Sequence, residues 1–336
     1  MPAPDPAAHS QSAVGSWAEP QIREVVARGL MGASLAAFRP DDPITRDEVT
    51  DLVAGLTAPR PHSAAPSPEP AGPSPSVTLE GLDARLVRGL GLSSAAARFQ
   101  SAARGAGLSP PARFGDEVVA RLLGLRTNHP SARDDLELLP SDPATRADAA
   151  FSAAQLLALV PAETRALKDE ATAFAVPPLT GWQRRILGVA VSFIGYPYVW
   201  GGTSEHAEAP FGVQAHGGFD CSGFVWRIYK LEPYPGGAAL AGTLKGRTTY
   251  AMSGEVPRAR RIRFARLEPA DVLFFGDAGP KSTPNQVGHM GIYVGGGWFV
   301  HSSDQGVALS RLSGWYRDRF AWARRPLAEA GLEPSI

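Results

Sequence analysis

The chain has 336 residues with 33 basic and 33 acidic side chains, so its formal net charge is zero. This balance gives no reason to expect nucleic acid or an anionic membrane surface as a partner. The single cysteine excludes an internal disulfide bond and a multi-cysteine metal site, and no stretch approaches the roughly 18 apolar residues of a membrane-spanning helix.

Changes in composition along the chain predict about two or three domains with connecting segments. A Pro/Ser/Ala-rich stretch is typical of a semi-extended linker, and an Ala- and Leu-rich stretch with helical periodicity follows it. In chain order we expect a flexible arm (1–16), a helical repeat (17–57), the linker (58–76), a second helical repeat region (77–160), a connector (161–179), an α+β domain (180–326) and a tail (327–336).

The amino-terminal residues Met1–Pro6 lack the basic start and apolar run of a secretory signal. Three explanations stay open at this point: a leader outside this sequence, export by another route, or a protein that stays inside the cell. A single cysteine is compatible with an oxidising compartment but does not prove one.

The first half of the chain contains an internal repeat. Asp42–Arg46 (DPITR) recurs as Asp142–Arg146 (DPATR), and the tetrapeptide VVAR precedes both copies, at Val25–Arg28 and Val118–Arg121. These markers lie 17 residues apart in the first copy and 24 in the second, which indicates a loop insertion. Because so short a unit cannot bury its own apolar face, we expect the copies to pack on each other.

Each repeated turn leads into a predicted helix. Thr45 followed by Glu48 is a capping-box sequence, and Thr145 followed by Asp148 is a weaker version of it. Each unit is therefore predicted to be a helix, a loop and a second, capped helix.

The first copy carries several landmarks in order: Trp17-Ala18, Gly29 and Gly32, Phe38–Asp41 (FRPD) and Ile44–Arg46 (ITR). In this it resembles the S-layer homology repeat. The second copy departs from the pattern at Leu138–Ser141 (LLPS), and residues 79–110 are a candidate for a third, degenerate unit. The resemblance implies a helical module that in some relatives binds secondary cell-wall polymers. A helical scaffold or lid without binding function is the alternative.

Cys221 begins a predicted helix in the last region. Asp220 before it is a favourable N-cap residue. Backbone N–H groups and the macrodipole at a helix start favour the thiolate, so we expect a lowered thiol pKa. A buried and inert cysteine is the alternative. One helix face is apolar and carries Phe224, Val225, Ile228 and Leu231.

Two histidines follow in a predicted β-hairpin, downstream of a buried strand at Asp271–Phe275. His289–Val294 alternates, and Trp298–Ser302 returns as its partner after a turn of three glycines. This register places His301 one diagonal away from His289. A lone strand histidine is more often structural. Two imidazoles on one sheet face, however, suit a base and its orienting group, and with one cysteine they predict a nucleophile–base arrangement.

Five ordered motifs and a matching closing segment span most of this region. They are Gly195–Gly202 (GYPYVWGG), Asp220–Phe224 (DCSGF), Leu267–Phe275 (LEPADVLFF), Val287–Gly295 (VGHMGIYVG), Phe299–His301 (FVH) and the closing Ala323–Arg325 (ARR). Residues 183–325 thereby resemble the NlpC-type cell-wall peptidases, papain-like cysteine hydrolases of bacterial peptidoglycan. Motifs in this number and order are far more specific than any one of them alone.

The resemblance implies a catalytic group with Cys221 as nucleophile, His289 as general base and later acid, and His301 as the residue that orients His289. Tyr198 and the backbone N–H of Cys221 are the implied oxyanion donors. The implied substrate-binding residues are Asp220, Ser222, Trp200 and Gly288. Helix capping is the alternative role of Asp220 and is compatible with the first. No metal or organic cofactor is implied.

Two inserts depart from the family pattern. Residues 204–217, with His206 and His216, lengthen the gap before Cys221 and are expected to form a loop beside the cleft. A metal role for these two histidines lacks a third ligand. Residues 234–260 form the second insert and are expected to wall the cleft, where Arg247, Arg258 and Arg260 would meet acidic groups of the substrate or lie in solvent.

The sequence therefore predicts helical repeats followed by an α+β, papain-like cysteine peptidase domain. The expected reaction is hydrolysis of peptidoglycan stem peptides, by resemblance at the γ-D-glutamyl–diaminopimelate bond. The alternatives are an amidase that cuts at the sugar–peptide junction and a non-catalytic protein that binds the cell wall. Expected partners are stem peptides or muropeptides and, through residues 17–160, a wall polymer. A cell-envelope or secreted location is expected, with a cytoplasmic recycling role as the alternative.

Overall fold

The computed structural model describes residues 12–57, 74–207 and 217–332. Most of the predicted arm and linker, the end of the predicted tail, and His216 of the first insert lie outside these described residues.

The first half of the chain is helical, as the periodicity predicts. The predicted connector is itself largely a helix, because Pro161 at its first turn and Glu163 form a favourable start. In the described part of this region the α-helices are α1 (Glu19–Ala27), α2 (Arg46–Thr57), α3 (Leu79–Gly89), α4 (Ser93–Gly105), α5 (Phe114–Leu122), α6 (Arg146–Ala158) and α7 (Pro161–Ala173).

Both predicted capping boxes are confirmed. The Thr45 N–H donates to Glu48 Oε2 at 2.9 Å, and the Glu48 N–H donates to Thr45 Oγ1 at 3.3 Å. Thr145 and Asp148 make the same reciprocal pair at the start of α6. A third cap, not predicted, starts α3, where Thr78 Oγ1 accepts the Gly81 N–H at 3.2 Å.

The two repeated turns pack directly on each other, as a repeat architecture requires. The Ile44 N–H donates to the Ala144 carbonyl at 2.8 Å, and the Ala144 N–H donates to the Val77 carbonyl at 2.9 Å. Val77 belongs to the turn before α3, and its N–H donates to the Ile44 carbonyl at 3.0 Å. Three turns, each leading into a capped helix, therefore share one hydrogen-bonded centre.

The second half combines helices with an antiparallel sheet. Helix α8 (Gly181–Ser192) leads into a short strand pair before the cysteine helix, and the main sheet follows. The remaining elements are β1 (Thr203–Ser204), β2 (Gly218–Phe219), α9 (Cys221–Trp226), α10 (Ala238–Ala241), α11 (Thr249–Gly254), β3 (Val272–Gly276), β4 (Val287–Gly295), β5 (Trp298–Ser303), β6 (Gly306–Arg311), α12 (Gly314–Arg319), β7 (Phe320–Arg324) and α13 (Pro326–Glu329).

The main sheet has the strand order β6-β5-β4-β3-β7, and every neighbouring pair is antiparallel. The predicted hairpin is confirmed, since Ile292 pairs with Val300 and Tyr293 with Phe299. The glycine turn between β4 and β5 has positive φ at Gly295, Gly296 and Gly297, a conformation that favours glycine. Strands β6 and β7 complete the sheet on either side of the predicted strands.

The cysteine helix packs its apolar residues against this sheet but is shorter than predicted. After α9 the chain widens into one π turn over Arg227–Leu231. Phe224, Val225 and Ile228 are fully buried, whereas Leu231 is 49% exposed. The prediction that Leu231 belongs to the buried face is therefore wrong, because the wider turn rotates the last residue away from the core.

The helical region and the sheet share one apolar core. Phe99 of α4, Phe174 after α7 and Trp298 of β5 form an aromatic cluster with ring centroids 5.0–5.6 Å apart. Trp298 meets the two phenylalanine rings edge to face, at 79° and 85°, and the two phenylalanine rings are tilted by 48° to each other. Rings at these distances and angles pack favourably. The two halves are consequently one packed body around this cluster.

Polar contacts reinforce the same interface. Arg113 donates to the carbonyls of Ser192 and Ile194, at 2.7 and 3.1 Å, where a cation complements the end of α8. Arg121 donates to the Gly195 carbonyl at 2.8 Å and pairs with Glu117 at 2.5 Å. Both arginines thus fix the chain just before the predicted catalytic Tyr198.

A buried ionic group lies behind Arg121. Asp83 is fully buried and pairs with Arg126, which also donates to Ser152 Oγ at 3.1 Å. Burial raises the pKa of Asp83 to about 6, while the positive charge of Arg126 opposes that rise.

Among the described residues, no helix is both long and apolar enough to cross a membrane.

Candidate functional site

Asp220 organises the start of the cysteine helix. Its Oδ1 accepts the Gly223 N–H at 2.5 Å, as the N-cap prediction requires, and it also accepts the Ser222 hydroxyl at 2.8 Å. Its Oδ2 accepts the Gly201 N–H at 3.0 Å. One carboxylate therefore ties the cysteine helix to the loop that follows Tyr198.

Arg247 from the second insert lies against this carboxylate rather than in solvent. Its guanidinium donates to both Asp220 oxygens, at 3.1 and 3.2 Å, and to Ser222 Oγ at 2.6 Å. It also donates to the carbonyls of Gly201 and Gly202, at 3.1 and 3.3 Å. A planar guanidinium is suited to such a bidentate contact. The sequence placed Arg247 in a cleft wall but gave no signal for this pairing.

Cys221 is 9% exposed and lies against strand β4. The backbone N–H groups of Met290 and Ser222 donate toward its sulfur and favour the thiolate. Burial and the negative charge of Asp220 nevertheless raise the pKa of the Cys221 thiol to about 12. The expectation of a lowered thiol pKa is therefore wrong for the site without substrate. Desolvation of the thiol and the negative charge of Asp220 raise its pKa by more than the groups at the helix start lower it.

His289 and His301 form a hydrogen-bonded pair. His289 Nε2 lies 2.9 Å from His301 Nδ1, and His301 Nε2 lies 2.9 Å from Ser310 Oγ on β6. Burial lowers the pKa of His289 to about 4, and burial together with the neighbouring His289 lowers the pKa of His301 well below its usual range. Both imidazoles are consequently neutral at physiological pH.

Aromatic rings hold this pair in place. Phe299 stacks on His301 with ring centroids 4.5 Å apart, and Phe275 lies 5.7 Å from His289. Tyr316 contacts both imidazoles, at 6.1 and 5.1 Å. Sequence reasoning missed Tyr316 and Ser310, because they come from α12 and β6 and carry no motif of their own.

The other predicted residues lie around the start of α9. Burial raises the pKa of the Tyr198 phenol, and the nearby Cys221 and Asp220 raise it further. The phenol is therefore protonated and able to donate a hydrogen bond. Trp200 is 73% exposed and Gly288, beside His289, is also exposed. The site thus has a buried polar floor around Asp220 and an exposed edge at Trp200 and Gly288.

A further acidic residue approaches the site from the helical region. Asp134, in the turn Ser131–Leu136, is close enough to contribute to the raised pKa of Tyr198. The same stretch of chain is anchored where the Asn128 N–H donates to the Asp304 carbonyl at 2.6 Å. The helical region therefore lies beside the cleft.

No described residues form a group of three or more His, Cys, Asp or Glu side chains that is suited to a metal ion.

In the first insert, the described residue Glu205 pairs with Arg227 at 3.0 Å, which fastens the start of that insert to the π turn that follows the cysteine helix.

Comparison with known proteins identifies both parts of the chain. Residues 195–325 match the family model for the NlpC/P60 family, and residues 11–50 match that for the S-layer homology domain. Over 142 residues the chain is 30% identical to "Probable peptidoglycan endopeptidase LytE" of Bacillus subtilis (strain 168), covering 42% of this chain and 34% of that protein.

A second relative is "Gamma-D-glutamyl-L-lysine dipeptidyl-peptidase" of the same strain, 30% identical over 149 residues, with 43% of this chain and 40% of that protein covered. Among solved structures, an NlpC/P60 family protein from Bacillus cereus ATCC 10987 is 25% identical, with a TM-score of 0.33 and coverage of 46% of this chain and 43% of that chain.

The matched part of the chain spans 34% and 40% of the length of these two curated relatives. The family matches fall on the two regions in which the sequence motifs lie, the repeat near the amino terminus and the region with Cys221 and the two histidines. The chain therefore carries an S-layer homology domain at residues 11–50 and an NlpC/P60 domain at residues 195–325.

Proposed function

We propose that this protein is a cysteine endopeptidase that hydrolyses peptidoglycan stem peptides. The observation that carries the proposal is the hydrogen-bonded series His289–His301–Ser310 beside the strand residue that contacts the Cys221 sulfur. A neutral imidazole with an oriented partner is what a general base requires. The relatives that match the same region are named a probable peptidoglycan endopeptidase and a gamma-D-glutamyl-L-lysine dipeptidyl-peptidase, which supports a peptidase.

We assign the protons of the two imidazoles from their hydrogen bonds. If the His289 Nε2–H donates to His301 Nδ1, then the His301 Nε2–H donates to Ser310 Oγ, and His289 Nδ1 carries the free lone pair. This tautomer leaves one ring nitrogen of His289 unprotonated, as acceptance of the thiol proton requires. In our proposal Cys221 rests as a neutral thiol and ionises as it attacks.

In the first half-reaction the Cys221 S–H proton passes to His289 while the sulfur bonds to the scissile carbonyl carbon. The Tyr198 phenol and the Cys221 N–H donate to the oxyanion. When the C–N bond breaks, the amine leaves with the proton from His289 and a thioester remains. Water then attacks the thioester with His289 as base, the C–S bond breaks, and the proton returns to the sulfur.

Asp220 and Arg247 hold the floor of the site in this proposal. Because Arg247 already occupies both Asp220 oxygens, the carboxylate acts mainly by fixing the cysteine helix and the Gly201 loop. Ser222 is buried and bonded to both Asp220 and Arg247, so it acts with them rather than as an open surface. Exposed Trp200 and exposed Gly288 remain as the surfaces that contact the peptide in this proposal. We also propose that the carboxylate of Asp134, which acts on Tyr198 from the helical region, attracts a free amino end of a stem peptide.

We further propose the γ-D-glutamyl–diaminopimelate amide as the bond that is cut. The test incubates the full chain with purified muropeptides and analyses products by mass spectrometry. A new amino-terminal diaminopimelate supports the proposal, whereas a free lactyl group would identify an amidase instead. Cys221→Ala should abolish cleavage, and cleavage at the native rate by that variant would refute the nucleophile.

The helical region is proposed to hold the enzyme at the cell wall, which corresponds to a cell-envelope location. Since Phe99 and Trp298 share one core, isolated halves are poor reagents and the full chain is the proper one. Inactive Cys221→Ala protein should co-sediment with whole cell walls and lose this binding once secondary polymers are extracted. Retention by extracted walls would contradict the anchoring role.

A further inference from the structure

Five arginines lie within nine residues of the segment that leads to β3. They are Arg258, Arg260, Arg261, Arg263 and Arg266, and no acidic residue interrupts them. Together with Arg325 they line an open groove of about 930 Å³. We call this surface the arginine groove. On a chain with zero net charge, it concentrates positive charge at one place.

The carboxylates that flank the arginine groove are already used by other arginines. Glu255, before it, pairs with Arg324 at 2.9 Å. Glu268, after it, pairs with Arg325 at 2.6 Å, and Asp271 pairs with Arg325 at 2.8 Å. The charges of the five groove arginines are therefore not neutralised by these neighbours.

Four of the five side chains face solvent. Arg258, Arg260, Arg263 and Arg266 are exposed, and within the described ranges none of them forms an ion pair with a carboxylate. Arg261 is half-buried, with its guanidinium 3.6 Å from the Trp322 ring centroid. Partial burial, and to a lesser extent the neighbouring charge of Arg258, lower the pKa of Arg261.

The backbone that carries these arginines is fixed. Ile262 and Ala323 exchange two backbone hydrogen bonds, each 2.9 Å long, so the segment lies along the outer strand β7. Arg317 covers Phe264 at 3.3 Å from the ring centroid. Arginines on an anchored backbone bind an anion at a lower entropic cost than the same residues on a mobile loop would.

The arginine groove is separate from the cleft. It lies against β7, one edge of the sheet, whereas His289 and His301 are on β4 and β5 and the strand β3 intervenes. Arg258 and Arg260, which the sequence offered either to the cleft wall or to solvent, are exposed and line the groove. Arg247, the arginine of the second insert that serves the cleft, is not among the residues that line the groove.

We propose that the arginine groove is a binding site for an anionic wall polymer that carries a phosphate diester in each repeat. The choice of a wall polymer rests on the proposed peptidoglycan function. The groove itself provides the chemistry, since guanidinium groups bind phosphate in a bidentate manner and a concave row suits a linear polymer better than a flat surface.

Other polyanions fit the surface less well. Bases of single-stranded nucleic acid stack on exposed aromatic rings, but Trp322 is 2% exposed and Phe264 lies beneath Arg317. Insertion into a membrane surface requires exposed apolar side chains, and the large exposed apolar residues among the described ones do not line the groove. They are Val14, Val160, Trp200, Leu231, Tyr250 and Trp315.

The test measures binding of the full-length Cys221→Ala protein to fluorescent poly(ribitol phosphate). A DNA duplex and phosphatidylglycerol vesicles serve as competing probes at equal phosphate concentration. One variant combines Arg258→Gln, Arg260→Gln and Arg263→Gln. The control combines Arg98→Gln, Arg104→Gln and Arg165→Gln, three exposed arginines of the helical region, and changes the net charge equally.

We expect the groove variant to bind poly(ribitol phosphate) on the order of 10- to 100-fold more weakly, and the control to bind like the parent. Native affinity should fall steeply with added salt. Equal binding by both variants would overturn the site, and tighter binding of DNA or vesicles would overturn the partner.

The same substitutions, made with Cys221 intact, should leave cleavage of soluble stem peptides unchanged. This readout separates the two proposals, because a protein without hydrolase activity can still bind the polymer, and an active protein can fail to bind it.

Discussion

His289 Nε2 and His301 Nδ1 lie 2.9 Å apart on adjacent antiparallel strands, and the far nitrogen of His301 lies 2.9 Å from Ser310 Oγ on the third strand. Three neighbouring strands thus contribute one residue each to a single row of hydrogen bonds. Because each strand is fixed by its backbone ladder, the row is preorganised before substrate arrives. This geometry determines the expected effects of several substitutions.

The pH dependence of kcat/KM should have an acid limb near pH 4 and no fall up to mildly alkaline pH. Burial lowers the pKa of His289 to about 4, and the base must be neutral, so activity is present above that pH and is lost below it. Because burial and Asp220 raise the pKa of the Cys221 thiol to about 12, we expect no thiolate–imidazolium pair at rest. The measurement is kcat/KM on a soluble stem peptide across pH.

Stability must be followed in the same samples, because neutral buried histidines also affect folding. A lowered folded-state pKa contributes stability above the unfolded value of about 6.5, and that stability is lost as pH falls toward about 4. Circular dichroism at each pH separates unfolding from titration. An alkaline decline in kcat/KM near pH 8 would show an ion pair and contradict the neutral resting state.

Replacing His301 by alanine should lower kcat by about 100-fold with little change in KM, since His289 loses its oriented partner but the peptide surfaces remain. His301→Asn should restore part of the rate, because an amide oxygen can accept the His289 Nε2–H. Ser310→Ala should cost about tenfold or less. Steady-state kinetics on the same peptide provide the measurement. If the asparagine variant behaves like alanine, His301 acts through packing alone.

Arg247→Met should destabilise the fold by about 2–4 kcal/mol, because Asp220, 9% exposed, would keep its charge without its cation. Urea unfolding measures the loss. Adding Asp220→Asn should recover part of it, since the charge is removed together with its partner. Lys245→Met is the matched control, an exposed cation two residues away, and should change stability by less than about 0.5 kcal/mol. Equal losses in both single variants would refute the pairing.

Arg121→Met should cost about 3–5 kcal/mol, because it leaves Glu117, 1% exposed, and the Gly195 carbonyl without their donor. Since Gly195 leads into Tyr198, kcat should also fall. Arg104→Met, on an exposed part of α4, is the control and should be neutral within about 0.5 kcal/mol.

The shared core further predicts that Arg121→Met lowers the stability of both halves together. Tryptophan fluorescence and far-ultraviolet circular dichroism should report one coincident urea transition in the parent and in the variant. Two separate transitions in the parent protein would show that the helical region and the sheet fold independently, contrary to the cluster of Phe99, Phe174 and Trp298.

Short-range patterns in the sequence predicted much of this fold. The caps at Thr45 and Thr145 were predictable because a side chain and an N–H three residues apart meet in any helix start. The hairpin with His289 and His301 was predictable because alternation and a glycine turn set its register. The region around Cys221 was also predictable, because the family motifs are contiguous in the sequence.

Only the tertiary structure decided the properties that depend on distant parts of the chain. Arg247 reaches Asp220, and Ser310 reaches His301, through packing that no local pattern encodes. The thiol pKa followed burial rather than helix position, because desolvation is a property of the whole fold. The net charge of zero did not indicate the arginine groove, because a total charge does not say which arginines the carboxylates pair with. Sequence therefore determined the elements and the candidate chemistry, and packing determined the electrostatics in which that chemistry operates.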